Sequence, residues 1–397
     1  MEEILQQAKA LQNELIEIRR YLHKNAEVGF ALDKTQTYIQ KQLEDMGIPS
    51  QKCGKAGITA LLGKSTGKTF LLRADMDALP IPERSGEPFA AKNGNMHACG
   101  HDFHATMLLG AAKLLKAQEK TLNGRVKLLF QPAEEILEGA KDVLKSGVLT
   151  SPKVDGAMML HVMTGNSLPV GAAVVASAGV SAPAADYFKI TVQGKGCHGS
   201  APWNGVDALT VAARILLGLQ ELAARELSPS QTAVLTVGGI KTGGAGNAVS
   251  DTAELSGTMR AFDEGVRDFL KKRMKAIAEN TAKAYRAKAK ISYQGGCPTL
   301  VNDRGLSEFA YKTMGAVSSL TYFSANLTGD GKERNGGSED FAYISHEVPS
   351  VMIALAAGEE KKGYAYPLHH PKAKFDEGAL YMGAAAYAHI AKEWLNS

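Results

Sequence analysis

The sequence predicts an α/β protein: a mostly parallel sheet, covered by helices on both faces, with an inserted α+β domain of the ferredoxin-like type. Three observations predict this class. Short, nearly continuous apolar strands alternate with helices up to about residue 183, as is typical of a buried parallel sheet. Residues 184–295 then follow the order β-α-β-β-α-β. The first pattern returns over residues 296–397.

Composition places the chain among ordinary globular proteins. It has 397 residues, of which 45% are hydrophobic and 22% are charged, which is enough for more than one domain. The net charge of +4 is small and no basic run dominates, so we expect no nucleic-acid partner. The N-terminus shows no apolar secretory core and no long apolar run follows, so we expect a cytoplasmic protein without a membrane span. The four cysteines are widely spaced, which indicates reduced thiols.

The N-terminal part begins with helical periodicity. Apolar residues at helical spacing predict one amphipathic helix over residues 2–24, and a second helix is predicted over Asp33–Met46. A strand is predicted at Ile58–Leu62. For the glycine-containing run 63–68 we expect a hairpin turn, because it lacks the spacing of a phosphate-binding loop.

Three further apolar strands each end at side chains that can bind a metal or move a proton. These strands and the residues that follow them are Phe70–Arg73 with Asp75 and Asp77, Val126–Phe130 with Glu134 and Glu135, and Ala157–Leu160 with His161. Helices are predicted at Ala105–Gln118 and Gly139–Ser146. Because ligands bind beyond the carboxyl ends of the strands in open α/β sheets, we expect these side chains to share one site.

The pattern changes near Ala184 and changes back near Pro298. The inserted segment contains the strands and helices Tyr187–Gln193, Val206–Leu227, Ala233–Gly238, Ala253–Ala261, Glu264–Arg286 and Ala289–Tyr293. The elements predicted after it are Leu306–Met314, Ser338–Ile344, Ser350–Leu355 and Glu377–Leu395. We therefore predict a discontinuous catalytic domain, 1–183 with 296–397, and an inserted domain, 184–295.

The segment 94–104, Gly-Asn-Met-His-Ala-Cys-Gly-His-Asp-Phe-His, has the highest density of candidate ligands. Cys99 and His101 lie two residues apart, just before a predicted helix. A thiolate beside an imidazole suits a borderline-soft divalent metal. The alternative is a polar loop with a buried structural cysteine.

The remaining candidates are persuasive only as a set. Glu134 and Glu135 are adjacent, so one can bind metal while the other faces substrate. The alternative is a solvated helix N-terminus, where acidic residues are also favoured. Histidines outside the 94–104 segment could belong to the core or to a surface loop. Taken together, five protein ligands exceed what one catalytic zinc needs and suit a two-metal site; they are Cys99, His101, one of the two glutamates, His161 and His369.

Four motifs, in this order along the chain, resemble the M20 metallopeptidase family, and more narrowly its aminoacylase-like amidohydrolases. They are Arg73-Ala-Asp-Met-Asp-Ala-Leu-Pro80, His97-Ala-Cys-Gly-His-Asp102, Gln131-Pro-Ala-Glu-Glu135 and Gly337-Ser-Glu-Asp-Phe341. This branch includes hippurate hydrolases, N-acetyl-amino-acid deacetylases and hydrolases of auxin–amino-acid conjugates. The resemblance extends over essentially the whole chain.

The resemblance implies a site for two divalent ions, of the kinds Mn²⁺, Zn²⁺, Co²⁺ or Ni²⁺. The implied ligands are Cys99, His101, Glu135, His161 and His369, and Glu134 is the implied general base. His369 is preferred over His370 because the family pattern places a histidine two residues before proline, but both positions are histidine here. Asp75, Asp77, Asp102 and His104 are expected to support the ligands.

The resemblance also gives roles to three residues of the inserted domain. His198, in Gly196-Cys-His-Gly-Ser-Ala-Pro202, would reach across the interface of a homodimer and polarise the scissile carbonyl. Asn247 and Arg260 would hold the carboxylate of the substrate, which an arginine can do bidentately. The alternatives are a local turn cap for His198 and a strand-surface ion pair for Arg260.

The expected function is hydrolysis of an N-acyl-amino acid to a carboxylic acid and a free amino acid. Metal-activated water would attack the amide, and Glu134 would accept its proton. A carboxypeptidase or dipeptidase of the same family is the first alternative, and a non-catalytic binding homologue is the second. The sequence specifies neither the acyl group, nor the amino acid, nor the physiological metal.

Overall fold

The chain divides into two compact units in the computed structural model, which describes residues 2–243, 245–325, 327 and 336–397. The first unit contains Met1–Ser181, Leu300–Asn335 and Glu339–Ser397, and the second contains Ala182–Thr299 and Gly336–Ser338. These borders lie close to those of the predicted domains. The roles predicted for the two domains, catalytic and dimerising, stay predictions.

The N-terminal part of the first unit supplies five helices and seven strands. They are α1 (Glu2–Ala10), α2 (Gln12–Lys24), α3 (Asp33–Asp45), β1 (Ser50–Cys53), β2 (Gly57–Gly63), β3 (Lys68–Asp75), α4 (His101–Ala117), β4 (Gly124–Gln131), α5 (Gly139–Lys145), β5 (Gly156–Met163), β6 (Ala173–Ala176) and β7 (Gly179–Ala182). The helix predicted over residues 2–24 is two helices, separated at Leu11. His101 is the first residue of α4, and His161 lies within β5 and not beyond it.

The second unit is a four-stranded antiparallel sheet with two helices. Its elements are β8 (Ala184–Gln193), β9 (Cys197–His198), α6 (Ala208–Glu221), β10 (Ala233–Thr242), β11 (Ala248–Val249), β12 (Thr252–Ala261), α7 (Glu264–Ala284) and β13 (Lys288–Cys297). The main sheet has the order β10-β12-β8-β13, and β9 pairs with β11 in a short separate ribbon. The predicted β-α-β-β-α-β order is confirmed. Side chains such as Ile190, Leu255 and Leu270 form its core.

The chain then returns to the first unit. Its last elements are β14 (Leu300–Asn302), α8 (Arg304–Met314), β15 (Thr321–Ser324), α9 (Ala342–Ser345), β16 (Ser350–Ala356) and α10 (Leu380–Asn396). The carboxylate of Asp303 caps α8 by accepting the Leu306 N–H at 2.8 Å. The helix predicted at Ser338–Ile344 was too long at its start, because Glu339 and Asp340 precede α9 and pair with a buried arginine instead.

The large sheet of the first unit has the order β1-β2-β4-β3-β5-β16-β6-β15. Its centre, β4-β3-β5-β16, is parallel, whereas β2 and β6 are antiparallel to their neighbours β4 and β16. The hairpin predicted at residues 63–68 was therefore wrong: β2 and β3 lie on either side of β4. Gly63 has φ 100°, and a Cβ there would collide with the Gly124 carbonyl at the start of β4.

Continuous burial along the central strands shows that both faces of this sheet are covered. Every residue of β3 from Thr69 to Asp75 is buried, and successive side chains of a strand point to opposite faces. Helices α4 and α10 pack on each other and on β3. No helix in the described part of the chain is both long and apolar enough to cross a bilayer. The carboxyl ends of β3, β4 and β5 are neighbours, because these strands are adjacent and parallel.

Candidate metal centre

The first unit brings together all five predicted metal ligands, which come from four separate segments. Cys99 and His101 stand at the start of α4, and Glu135 lies on the turn after β4. His161 lies near the carboxyl end of β5, and His369 lies between β16 and α10. Their arrangement at one edge of the sheet is the one expected for ligands of an open α/β fold.

Cys99 occupies the middle of this cluster. Its Sγ lies 3.5 Å from Nε2 of His161 and 3.2 Å from Nε2 of His369. It belongs to two groups whose ligand atoms all lie within 4.8 Å of one another: one with His101 and His161, the other with Glu135 and His369. A thiolate shared by two such groups is suited to bridge two ions.

His101 faces three carboxylates with one nitrogen. Its Nε2 lies 3.7 Å from Oε1 of Glu135, 3.9 Å from Oε2 of Glu134 and 3.8 Å from Oδ2 of Asp75. Its Nδ1 lies 3.3 Å from Oδ1 of Asp77. Both nitrogens are buried, and neither meets hydrogen-bond criteria with any described residue. A divalent cation would satisfy Nε2, while Nδ1 faces the Asp77 carboxylate, so the donor set fits a metal.

The turn that presents the two glutamates is held by Asp77. Its carboxylate accepts the N–H of Glu134 at 3.1 Å and the N–H of Glu135 at 3.3 Å. Ala133, just before them, has φ 57°, a left-handed conformation that is costly for a residue with a Cβ. His369 has φ 64°. Strained backbone thus coincides with two of the four ligand segments.

The electrostatics of the cluster are those of a cation site. Burial, together with neighbouring Glu339 and Glu135, raises the pKa of Glu134 well above its usual range. Burial raises the pKa of Glu135 to about 7. Burial by itself would lower the pKa of His101, but the nearby carboxylates, Asp75 foremost, raise it to about 10. A bound dication would reverse both directions, favouring ionised carboxylates and a neutral imidazole.

Arg73 is a buried arginine with three acidic partners, a role that the sequence analysis does not predict. Its Nη1 donates to Asp75 at 2.6 Å, and its Nη2 donates to Glu339 at 2.8 Å and to Asp340 at 3.0 Å. All four residues lie in the motifs quoted above, but those motifs assign no role to Arg73, Glu339 or Asp340. The available signal was an arginine within an apolar strand, which cannot be buried without partners.

The two residues expected to support the ligands from α4 behave differently. His104 accepts the Val162 N–H at Nε2, 2.8 Å away, so its proton is on Nδ1 and is donated to Asp75 at 2.5 Å. His104 therefore orients a carboxylate beside His101. Asp102 instead contacts α2, through a charge network described below.

The structure also separates the two adjacent histidines. His370 stacks on Tyr366 with ring centroids 4.4 Å apart, and its Nδ1 accepts the Lys372 N–H at 3.1 Å. His369 has its N–H bonded to the Ala98 carbonyl at 2.9 Å, which ties it to the Cys99 segment. Among the described residues it is His369 and not His370 that joins a candidate ligand group.

The other three predicted site residues belong to the second unit. His198 pairs with Ala248 across the β9–β11 ribbon, and the N–H of the next residue, Gly199, donates to the Asn247 carbonyl at 2.7 Å. His198 and Asn247 are thus neighbours. The Nδ1 of His198 also accepts the Ser200 N–H at 3.1 Å, the local contact that the turn-cap alternative anticipates.

Arg260 lies on β12 beside an aromatic side chain. Its Nη2 is 3.3 Å from the Tyr187 hydroxyl, its guanidinium lies 5.2 Å from the centre of that ring, and it also contacts the Thr258 hydroxyl. Within the described ranges no carboxylate pairs with it, so the strand-surface ion pair is absent there. The guanidinium keeps donors for an external carboxylate.

Comparison with known proteins gives consistent results. The family model described as peptidase family M20/M25/M40 matches residues 71–393. An N-acetyl-L-cysteine deacetylase of Bacillus subtilis is 36% identical over 391 residues, covering 98% of this chain and 89% of that protein. Thermostable carboxypeptidase 2 of Saccharolobus solfataricus is 34% identical over 404 residues, covering 100% and 99%.

A solved structure shows the same architecture over nearly the whole chain. It is the Bacillus subtilis YXEP protein, described as a dinuclear metal binding peptidase from the M20 family. The two chains superpose with a TM-score of 0.80 at 32% identity, and the match covers 98% of this chain and 99% of that one.

Proposed function

The chain belongs to peptidase family M20/M25/M40 and is a hydrolase of amide bonds, and from this premise we propose that it hydrolyses N-acyl-amino acids to a carboxylic acid and a free amino acid. The observation that carries the proposal is the cluster of three imidazoles, one thiol and two carboxylates at the carboxyl ends of the central strands, buried except at His369 and partly at His161 and Glu135. The deacetylase relative, 36% identical, supports the acyl-amino-acid class.

Five residues would hold two divalent ions, and they are Cys99, His101, Glu135, His161 and His369. A thiolate and imidazoles suit Zn²⁺, Co²⁺ or Ni²⁺ better than they suit calcium or magnesium, and the Glu135 carboxylate also suits Mn²⁺. Ions bound there would lower the pKa of a water molecule and polarise the amide carbonyl. The dinuclear relative supports the number of ions.

Glu134 is the proposed proton carrier. It lies beside the ligand cluster but is held by its backbone to Asp77, which leaves its carboxylate free to face the reacting amide. Glu134 takes a proton from the attacking water and delivers it to the nitrogen of the leaving amino acid. Arg73 pairs with the acids packed around Glu134, namely Asp75, Glu339 and Asp340, and so reduces their repulsion of its carboxylate.

The second unit is proposed to contribute substrate contacts. Arg260 and Asn247 would bind the α-carboxylate of the substrate, and His198 would donate a hydrogen bond to the carbonyl oxygen as negative charge develops on it. Two observations support these roles: His198 is exposed, and the guanidinium of Arg260 has hydroxyl partners but no carboxylate partner among the described residues. The test of the whole proposal is hydrolysis of acetyl, benzoyl and long-chain acyl amino acids with Mn²⁺, Co²⁺ or Zn²⁺ added.

A carboxypeptidase activity is the second candidate, because a relative of that name is 34% identical over the full length of this chain. Dipeptides with a free amino group and N-blocked peptides should be assayed beside the acyl-amino acids. Faster turnover of the peptides would favour the carboxypeptidase, and no turnover of any compound by metal-loaded protein would favour a non-catalytic binding homologue.

Arg260→Ala is expected to lower kcat/KM for an N-acyl-amino acid by about tenfold to a hundredfold, the value of a charge-assisted hydrogen bond to a carboxylate. The same change should have little effect on the matching N-acyl-amino-acid amide, which has no carboxylate to bind. Lys189→Ala serves as the control, because Lys189 is a cation of the same sheet whose partner is Glu254 at 3.0 Å. Equal losses on both substrates would make Arg260 structural.

Mixing two inactive variants should restore activity if His198 acts across a homodimer formed through the second unit. His198→Ala and Glu134→Gln should each be nearly inactive. After subunit exchange, half of the dimers are mixed and each holds one intact site, so about a quarter of wild-type activity is expected from twofold symmetry. Absence of recovery despite demonstrated exchange would place His198 in its own subunit's site or outside catalysis.

A further inference from the structure

Helix α2 buries two basic side chains that the metal cluster does not use. Arg19 and His23 lie one turn apart, and each is only 2% exposed. Their positions extend the apolar stripe of Leu15, Ile18 and Leu22, so they point into the unit and not to solvent. Basic groups this deeply buried require partners of opposite charge.

The main partner is Asp102. Its Oδ2 accepts from Nε of Arg19 at 2.8 Å and from Nδ1 of His23 at 2.8 Å. Asp102 is fully buried and is the second residue of α4, directly after His101 and three residues after Cys99. Arg19 and His23 therefore both bind the first turn of α4. This turn contains His101 and begins two residues after Cys99.

His23 is bound on its other side as well. Its Nε2 lies 3.0 Å from Oε1 of Glu83, whose Oε2 accepts the Ala91 N–H at 2.7 Å. With a carboxylate on each nitrogen, the ring donates both bonds only as an imidazolium. Burial opposes the charge, but Asp102 and Glu83 outweigh both burial and Arg19, so the pKa of His23 is raised. The remaining titratable group facing it is His97, 6.3 Å away between ring centres.

The segment that contains Glu83 also contacts the segment of another candidate ligand. The N–H of Arg84 donates to the carbonyl of Pro371 at 2.7 Å, two residues after His369. A continuous path of contacts thus runs from His23 in two directions, buried toward Asp102 and nearer the surface at Arg84. One branch ends at the His101 turn and the other at the His369 segment.

We propose that His23, assisted by Arg19, is a positioning residue of the metal centre, which fixes the His101 turn and the His369 segment relative to one another through Asp102 and Glu83. The inference rests on the proposed function, since it concerns ligands of the ions proposed there. Outer hydrogen-bond partners of metal ligands commonly change metal affinity by about tenfold to a hundredfold. His23 acts on the backbone of two ligand segments together, through Asp102 next to His101 and through Glu83 next to Arg84.

The location of the network favours positioning over simple bracing. Helices α2 and α4 are already joined elsewhere by Glu14 and Lys113, at 2.7 Å, and by apolar packing. Buried ion pairs add little to stability compared with apolar residues of the same volume. The Arg19 guanidinium is further fixed between the rings of Phe89 and Phe103, at 4.7 Å and 4.9 Å. We therefore expect this rigid arrangement of charges to fix the position of the first turn of α4 more than it increases the free energy of unfolding.

The test measures metal binding by the folded protein. His23→Gln is expected to weaken binding of Co²⁺ by about tenfold to a hundredfold and to alter the thiolate-to-cobalt absorption band that reports on Cys99. Urea unfolding of the metal-free protein is measured in parallel, because a residue that only braces the fold changes the unfolding free energy and not the affinity of folded molecules. Glu14→Gln, which breaks the other link between the same helices, should leave Co²⁺ affinity and spectrum unchanged.

Wild-type Co²⁺ affinity and spectrum in folded His23→Gln would overturn the inference while leaving the proposed function intact. A wild-type protein that binds no metal would instead overturn the proposed function, so the two failures are distinguishable. If the single variant does not fold, the double variant His23→Gln with Glu83→Gln, which removes both charges of that pair, is measured in its place. Weakened Co²⁺ binding by the folded double variant supports positioning, and unchanged binding refutes it.

Discussion

Replacing Glu134 by Gln should lower the turnover of N-acyl-amino-acid hydrolysis by roughly two to four orders of magnitude, the usual contribution of a general base. The amide has the shape of the carboxylate but cannot accept a proton from water. The Glu134 N–H stays bonded to Asp77, so the turn and the fold should be retained. Bound metal should be retained as well, because Glu134 is proposed as a proton carrier and not as a ligand.

The adjacent residue provides the matched control for this experiment. Glu135 has its carboxylate 3.7 Å from His101 and 3.6 Å from His369, within the ligand cluster. Glu135→Gln should therefore weaken metal binding first and lose activity as a consequence, with partial recovery at high metal concentration. If Glu134→Gln lost metal while Glu135→Gln kept it, the roles given to this pair would be interchanged.

Removal of divalent metal should abolish hydrolysis, and adding it back should restore activity. Bound ions supply the activation of water and the polarisation of the amide carbonyl. Burial raises the pKa of Glu134 and of Glu135, and bound dications would oppose that shift. The measurement is turnover before and after dialysis against a chelator, followed by addition of Mn²⁺, Co²⁺ or Zn²⁺. Full activity in protein shown to be metal-free by elemental analysis would contradict the two-metal proposal.

Much of the fold could be predicted because its signals are local. Apolar strands without alternation, such as Val126–Phe130, indicate burial on both faces, and burial on both faces indicates a parallel sheet between helices. The position of Glu134, Glu135 and His161 at or near strand ends then predicts a common site, since parallel strands bring their carboxyl ends together. The structure does bring these residues together.

What could not be predicted depends on contacts between distant parts of the chain. No local pattern shows that β4 lies between β2 and β3, which is why residues 63–68 resembled a hairpin turn. Two partners of Arg73, Glu339 and Asp340, lie more than 260 positions away. His23 similarly meets Asp102 across 79 positions. A buried base can be recognised from its apolar neighbours in the sequence, but its partners cannot be identified there.

The number of ions bound per chain tests the central claim most directly. Metal-free protein should be titrated with Mn²⁺ or Co²⁺ while binding and hydrolysis of an N-acyl-amino acid are followed together. Because Cys99 belongs to two ligand groups, two ions should bind per chain, and full activity should require both. Saturation of binding and of activity with one ion per chain, or activity that does not depend on bound metal, would contradict a binuclear amidohydrolase.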